Sequence, residues 1–429
     1  MRLAMKRLVA ASLTAAVAAA LVGCSASGSG TDGKNGEITL WTHNAGNKAE
    51  LAAVTKIVND YNASQSKTKI KIQAFPQASY NQSVVAAAAA GKLPCIVDID
   101  GPNVPNWAWA KYLTPLNLNA DLSKNLPSTV GKWNGKTYSF GVYDVALAMF
   151  ARKSVLTGAG IRIPTVDAPW TKTEFADALA KLKAEGKWTY PLDLGTAGTG
   201  EWLPYAYSPL LQSFGGDLIN RTTFKSADGA LNGPDAIKWA DWFQGLIKKQ
   251  YVAKKSGADS TLDFLNNKSA ILYTGSWAAA SAQQKLGSDL VQLPSVDLGN
   301  GPKSGGGSWQ WGVTTGCANP KAAMDYLSFS LKPKYVAAVA KAAGTIPATD
   351  AAAALVPGYE TGGTMDVFRQ ISKKDAVLRP ETPAYPFIST TFAKAMQDII
   401  DGADPKQTLD TAVAAIDDNI KSNDGYTQK

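Results

Sequence analysis

The apolar and polar positions follow three different patterns along the chain. Residues 8–22 are an alanine-rich, mostly apolar run behind Arg2, Lys6 and Arg7. A basic head, a short apolar body and a small residue at its end are the marks of an export signal, and the run is short for a permanent membrane span. From residue 37 the pattern alternates. Ile38 and Leu40 point one way in a strand over 37–43. Asn47 and Glu50 form a capping-box-like pair, and Leu51, Val54, Val58 and Tyr61 then fall on one helical face. Strands are expected over 69–75 and 95–100, with a helix over 80–90 between them, and Gly101-Pro102 turns the chain into a Trp-rich helix over 106–112. Strand–helix alternation predicts a mostly parallel sheet covered on both faces. In such sheets ligands bind outside the carboxyl ends of strands, which here carry His43, Asn44, Asp100 and Asn103.

The second half repeats the theme with more turns. Residues 132–138 read as a hairpin around Asn134-Gly135. A long apolar strand over 141–150 is interrupted by Tyr143-Asp144. Thr171 and Glu174 form a capping box before a helix that buries Phe175, Leu179 and Leu182. A loop over 195–207 holds Glu201, Trp202 and Tyr205, and a short helix over 210–214 follows. Residues 232–251 form an amphipathic helix. A buried strand over 269–274 runs into Gly275-Ser276-Trp277. Residues 295–308 read as a Gly-rich loop, and 309–315 as a strand bearing Trp309 and Trp311. Of these two rings one is expected to face a cleft. The last helix repeats Leu409, Val413, Ile416 and Ile420 on one face. No internal repeat is visible.

Composition narrows the class. A chain of 429 residues suits two domains, and 45% hydrophobic with 18% charged residues is a globular balance. The formal charge is +8, three units of which lie in the signal. The remaining lysines read as scattered, a solvated surface with at most an attraction to anionic lipid or wall polymer, and no nucleic-acid footprint. Leu21-Val22-Gly23-Cys24 resembles the lipobox of bacterial lipoproteins. That resemblance implies cleavage before Cys24, a diacylglycerol on its thiol, and the extracellular face of the cell membrane. Residues 1–23 would then be the signal peptide and 24–35 a flexible, lipid-anchored tether. Cys95 and Cys317 remain, an even pair in an oxidising compartment; a disulfide between them is expected, two free buried thiols being the alternative.

Catalytic and cofactor patterns are weak. No CxxC exists, and His43 has no second histidine to build a zinc site, so neither metal nor cofactor is expected. No G-x-S-x-G elbow surrounds a serine. Gly195 to Gly200 lacks the Gly-Lys-Ser/Thr of a phosphate loop. Asp98 and Asp100 supply a carboxylate pair by spacing alone, the one opening for a lipid-anchored glycoside hydrolase.

The order of motifs resembles the solute-binding lipoproteins of ABC importers for sugars, relatives of maltose-binding protein (family 1 solute-binding proteins). The matching pieces are Ile38-Thr39-Leu40-Trp41, Asn134-Gly135-Lys136-Thr137-Tyr138, Pro169-Trp170-Thr171 and Phe214-Gly215-Gly216. Further on come Phe264 to Ile271 leading to Gly275-Ser276-Trp277, then Gly344-Thr345-Ile346-Pro347-Ala348 and the late helix to Gly402. The resemblance implies two α/β lobes, each a mostly parallel sheet flanked by helices, joined by three crossings. The first lobe would hold 36–142 and 312–343, the second 143–311 and 344–429. It further implies a monomer that closes on a neutral sugar, delivers it to membrane permease subunits and performs no chemistry on it.

The residues suit a sugar. Its C–H faces stack on aromatic rings, and its hydroxyl edges need donors and acceptors together. Trp277 fits the family's small-small-Trp pattern and is the leading candidate. Glu201, Trp202 and Tyr205 resemble the family's Glu-Pro-Tyr segment. Trp309, Trp311, Asp100, Asn103, His43 and Asn44 stand at strand ends. Tyr143 and Asp144 sit at a crossing, Asp98 is read as a turn cap, and Arg379, Tyr385 and Phe387 lie at the mouth of the late helix. The number of rings favours an oligosaccharide. A polyamine would want converging carboxylates and a phosphate an arginine cluster, and neither is visible, so a peptide, polyamine or sugar phosphate is the second choice.

Overall fold

The computed structural model describes residues 32–427. The export signal and Cys24 lie outside the described residues. The chain starts in one sheet with β1 (Glu37–Thr42), β2 (Lys69–Ala74), β3 (Ile96–Asp100), β4 (Leu113–Thr114), β5 (Val130–Trp133) and β6 (Lys136–Phe140). It enters a second sheet with β7 (Tyr143–Arg152), β8 (Tyr190–Asp193), β9 (Ser269–Gly275), β10 (Leu290–Leu293) and β11 (Ser304–Gly307). It returns to the first for β12 (Trp309–Thr314), then crosses again for β13 (Ile346–Pro347) and β14 (Ala376–Val377). The first sheet is ordered β2-β1-β3-β12-β6-β5 and the second β14-β11-β7-β9-β8, with β4 on β12 and with β10 and β13 on β7. This is a mixed α/β fold of two lobes. Strands β1, β2 and β3 run parallel, so His43, Phe75 and Asp100 leave the sheet at one end; β12 runs against β3 and brings Trp309 there.

Helices form where the pattern placed them, with local causes. Asn47 accepts the Glu50 N–H at the start of Lys48–Ser64, and that helix buries Val54, Ile57, Val58 and Tyr61. The Thr171–Glu174 capping box is complete at Lys172–Ala184. Two readings change. The helix Trp202–Phe214 begins eight residues earlier than expected, so Trp202 and Tyr205 are helical, not in a loop. Pro204 sits in its first turn, where a missing N–H costs nothing. The glycine run at 304–307 is no loop but β11, paired with β7 and β14. Bare glycine hides alternation, so the pattern carried no strand signal.

The crossings lie side by side. β6 passes into β7 through Gly141 and Val142, β11 into β12 through Ser308, and the helix Pro333–Ala343 into β13 through Gly344 and Thr345. A Cβ on Gly141 would sit 2.3 Å from the Ser308 Oγ, so only glycine lets the first two crossings touch. Ala348 N–H donates to the Val142 carbonyl at 3.1 Å, which ties in the third. The second crossing falls at Ser308, so Trp309 and Trp311 belong to the first sheet, not to the second lobe where the sequence put them. One core cluster runs past the crossings, from Ile38, Leu40 and Val336 to Phe150, Leu272 and Phe368.

Cys95 and Cys317 are joined in a disulfide across 222 residues of sequence. Asp32 lies beside it. Its carboxylate accepts the Cys95 N–H at 2.7 Å and the Thr39 N–H at 3.0 Å. Folded structure therefore begins inside the stretch read as a tether.

Candidate functional site

The strand ends of both sheets meet in one cleft. On the first wall, β1 ends in His43, whose Nδ1 lies 2.5 Å from the Asp98 carboxylate of β3. Thr42 Oγ1 donates to the same oxygen at 3.3 Å. The His43 ring stacks on Trp309, centroids 3.8 Å apart at 12°. Tyr80 meets Trp309 edge-on, and its hydroxyl receives the Asp98 N–H at 2.9 Å. Burial alone would lower the His43 pKa, but Asp98, Glu50 and Asp100 outweigh it and raise it. Burial raises the Glu50 carboxyl, to which the Tyr143 hydroxyl donates at 3.2 Å. Asn44 is buried, with neither amide atom hydrogen-bonded.

The second wall is built by the helices Trp202–Phe214 and Tyr385–Asp401 and the end of β9. Glu201 accepts Arg379 Nη1 at 2.6 Å, the Ser389 hydroxyl at 2.6 Å and the Tyr385 hydroxyl. The other Arg379 nitrogen reaches Asp100 across the cleft at 3.4 Å, and its guanidinium lies 5.0 Å from the Tyr205 ring centre. Burial pushes Asp100 up to about 6 against the pull of Arg379. Burial would lower Arg379, but Asp100 and Glu201 hold it above its usual range. Trp277 lies over Gly275, where a Cβ would be 2.0 Å from its ring. It stays 40% exposed and faces Tyr205 at 6.3 Å. Two further contacts close the lobes on each other: Asn106 Nδ2 to the Pro383 carbonyl at 2.7 Å, and Trp109 Nε1 to the Thr427 carbonyl at 3.3 Å.

Thus His43, Asn44, Asp100, Glu201, Tyr205, Trp277, Trp309, Arg379 and Tyr385 line one region. Asn103 is half-buried at the turn after β3, Phe387 is 37% exposed, and Trp202 is half-buried with its N–H on the Gly195 carbonyl at 2.9 Å. Four expectations fail. Asp144 is fully buried and spent: its carboxylate accepts from Ser128, Ser372 and the Gly307 N–H, so it ties the crossings together and has nothing left for a ligand. Tyr143 is turned onto Glu50. Trp311 is in the core; residues two apart on a strand share a face, so depth along β12, and not alternation, separates it from Trp309. Asp98 caps no turn but holds His43.

Sequence reasoning missed Glu50, Tyr80 and Ser389. Glu50 was noticed only as a cap partner, and Ser389 lies one helical turn past Tyr385, a spacing that could have found it. Among the described residues no group of three or more His, Cys, Asp or Glu could hold a metal ion, and no helix is long and apolar enough to cross a membrane.

The family model described as "Bacterial extracellular solute-binding protein" matches residues 56–365. An uncharacterised lipoprotein encoded in the oleD 5′ region of Streptomyces antibioticus is 24% identical over 304 residues, 66% of this chain and 64% of that protein. The chain thus spans less than two thirds of that relative's length. The diacetylchitobiose binding protein DasA of Streptomyces coelicolor is 23% identical over 78% of this chain and 81% of its own. Among solved structures, the cyclic α-maltosyl-1,6-maltose binding protein of Arthrobacter globiformis superposes with a TM-score of 0.75. It is 25% identical and covers 90% of this chain and 99% of its own. DasA and the Arthrobacter protein are binding proteins by name.

Proposed function

The chain belongs to the bacterial extracellular solute-binding proteins, and from that premise we propose that it captures a neutral oligosaccharide between its lobes and delivers it to the permease of an ABC importer. It does so from the outer face of the membrane, held by lipid on Cys24, and leaves the sugar chemically unchanged. The observation that carries the ligand class is Trp277. A large ring left 40% exposed at a strand end, beside buried Arg379 and Asp100 and half-buried Glu201, offers a C–H stacking face next to paired donors and acceptors. The names of DasA and the Arthrobacter protein, which bind diacetylchitobiose and a cyclic maltosyl-maltose, agree with that class.

The test is a thermal-shift screen of the chain from Ser25 onward. Diacetylchitobiose, maltose, maltotriose and mannobiose are run against a polyamine, a peptide and a sugar phosphate. A ligand that binds only the native state raises the midpoint with its excess over Kd. One oligosaccharide series is expected to shift it, with free hexoses weaker. A shift from a charged control and none from any sugar overturns the ligand class. Release of free sugar from a shifted ligand overturns the non-enzymatic reading. The mass of protein extracted from membranes checks the lipid on Cys24.

A further inference from the structure

The charge of the chain is divided unequally. Residues 32–142 and 309–345 carry 15 Lys and Arg against 8 Asp and Glu, whereas 143–308 and 346–429 carry 25 against 27. The first lobe is thus +7 and the second −2. Lysines that look scattered in sequence gather in space. β1, β2 and β3 start at the pole opposite the cleft, where β12 ends. There Lys69 N–H donates to the Gly36 carbonyl at 2.7 Å, Ala318 N–H to the Asp32 carbonyl at 2.9 Å, and Thr315 Oγ1 to the Lys111 carbonyl at 2.8 Å. A Cβ on Gly316 would lie 3.1 Å from the Leu93 carbonyl. These turns carry Lys34, Lys67, Lys69, Lys92 and Lys111, all exposed and none in an ion pair among the described residues. The nearby acids are engaged: Asp32 with backbone N–H groups, Glu37 with Lys71, and Asp325 with Lys321.

We propose that this pole, built from Lys34, Lys67, Lys69, Lys92 and Lys111, is a docking surface for the anionic phospholipid headgroups of a bilayer. Described structure begins at Asp32 on this same pole, eight residues after Cys24. The inference rests on the reading of Cys24 as the lipid-bearing residue for its setting, and not for its chemistry. The two acyl chains of a diacylglycerol already hold the chain at the membrane, so a basic patch beside them sets how the folded body lies on the bilayer and does not supply the anchorage. Exposed lysines gathered at one pole lower the energy of approach to anionic headgroups, and the effect fades within a screening length of about 8 Å at physiological salt. The acidic second lobe is then turned outward. Docked this way, the cleft opens away from the bilayer, a resting orientation the protein leaves when it meets a permease.

The test uses the chain from Ser25 onward, which retains every described element but not Cys24, so it is independent of lipidation. It is floated with vesicles of phosphatidylcholine alone or mixed equally with phosphatidylglycerol. Binding to the anionic vesicles only, lost as salt rises, is expected. The variant K34Q/K67Q/K69Q/K92Q/K111Q should lower partitioning by about fivefold per lysine, with its midpoint and sugar response unchanged. A matched second-lobe variant, K153Q/K225Q/K249Q/K255Q/K285Q, should bind like the parent. Equal binding to neutral vesicles, no binding, an equal loss in the second-lobe variant, or binding to polyphosphate without binding to vesicles overturns the proposal. Absence of lipid on the membrane-extracted protein overturns the anchoring reading alone.

Discussion

The two walls of the cleft use the same kinds of residue to opposite ends. On the first, Trp309 stands at a strand end, but His43 covers one face and Tyr80 meets its edge, and the hydrogen bond between His43 and Asp98 fixes that cover. On the second, Trp277 stands at a strand end over a glycine, and 40% of it remains bare. Tyr205 is intermediate, its ring overlaid by Arg379. A ring becomes a platform for a ligand only where the protein has left a face uncovered. The neighbours that decide this come from other strands, far away in sequence.

The sharpest way to break this comparison is to truncate both rings. Trp309→Ala should cost about 3 kcal/mol of stability in denaturant titration, because packed rings leave a cavity. Trp277→Ala should leave the midpoint within a few degrees and lower sugar affinity about a hundredfold by calorimetry, a loss of about 2.7 kcal/mol. Equal stability losses would mean that the two walls do not differ. Next in size, Asp98→Asn should destabilise by about 2 kcal/mol, since it takes from the buried His43 ring the carboxylate that holds it. If the cover over Trp309 depends on that pair, its fluorescence should shift in the variant.

Smaller again is Gly141→Ala. The added methyl meets the Ser308 Oγ at 2.3 Å, and overpacking of this kind costs about 1 kcal/mol. Both walls hang from that crossing, so stability should fall without selective damage to either ring. The smallest effect is in pH. Asp100 is held at about 6 in the folded protein, above its ordinary value of about 3.9 when unfolded. As pH drops from 7 to 5 the native state therefore takes up the proton first, and the midpoint should rise by a degree or two. Asp375, also pushed up to about 6 by burial, acts in the same window, so Asp100→Asn should flatten part of the rise and not all of it. A midpoint that falls over that interval would contradict the burial of Asp100.

Much of the fold could be read because its signals are local. Asn47 with Glu50, Thr171 with Glu174, and the alternation of Ile38 and Leu40 all act within a turn or a strand, and each appears where the pattern put it. The family motifs supplied the two-lobed plan. The site was harder because its facts are non-local. Asp144 looks like a cleft carboxylate until Ser128, Ser372 and Gly307 are seen to use it up, and these residues come from three distant segments. Asp98 reads as a turn cap until β1 places His43 against it. Trp311 shares a face with Trp309 by period two, and only its depth along β12, opposite Asp98 and Phe140, takes it out of the cleft. The glycine strand at 304–307 had no side chains from which a period could be read.

The place of β12 in the first sheet sets an order of assembly. It lies between β3 and β6, yet it is synthesised only after residues 143–307, most of the other lobe, have emerged. Until then β3 and β6 expose unpaired edges, and Cys95 has no Cys317 to meet. The first lobe therefore cannot mature from its own N-terminal segment, and it waits on contacts of long sequence separation, which slow folding. A chain halted before Trp309 presents two open strand edges to its neighbours, the kind of surface that aggregates. The last strand of the first lobe to be made is thus its central one, with the helices Pro320–Ser330 and Pro333–Ala343 following it, and the sheet is completed from the middle.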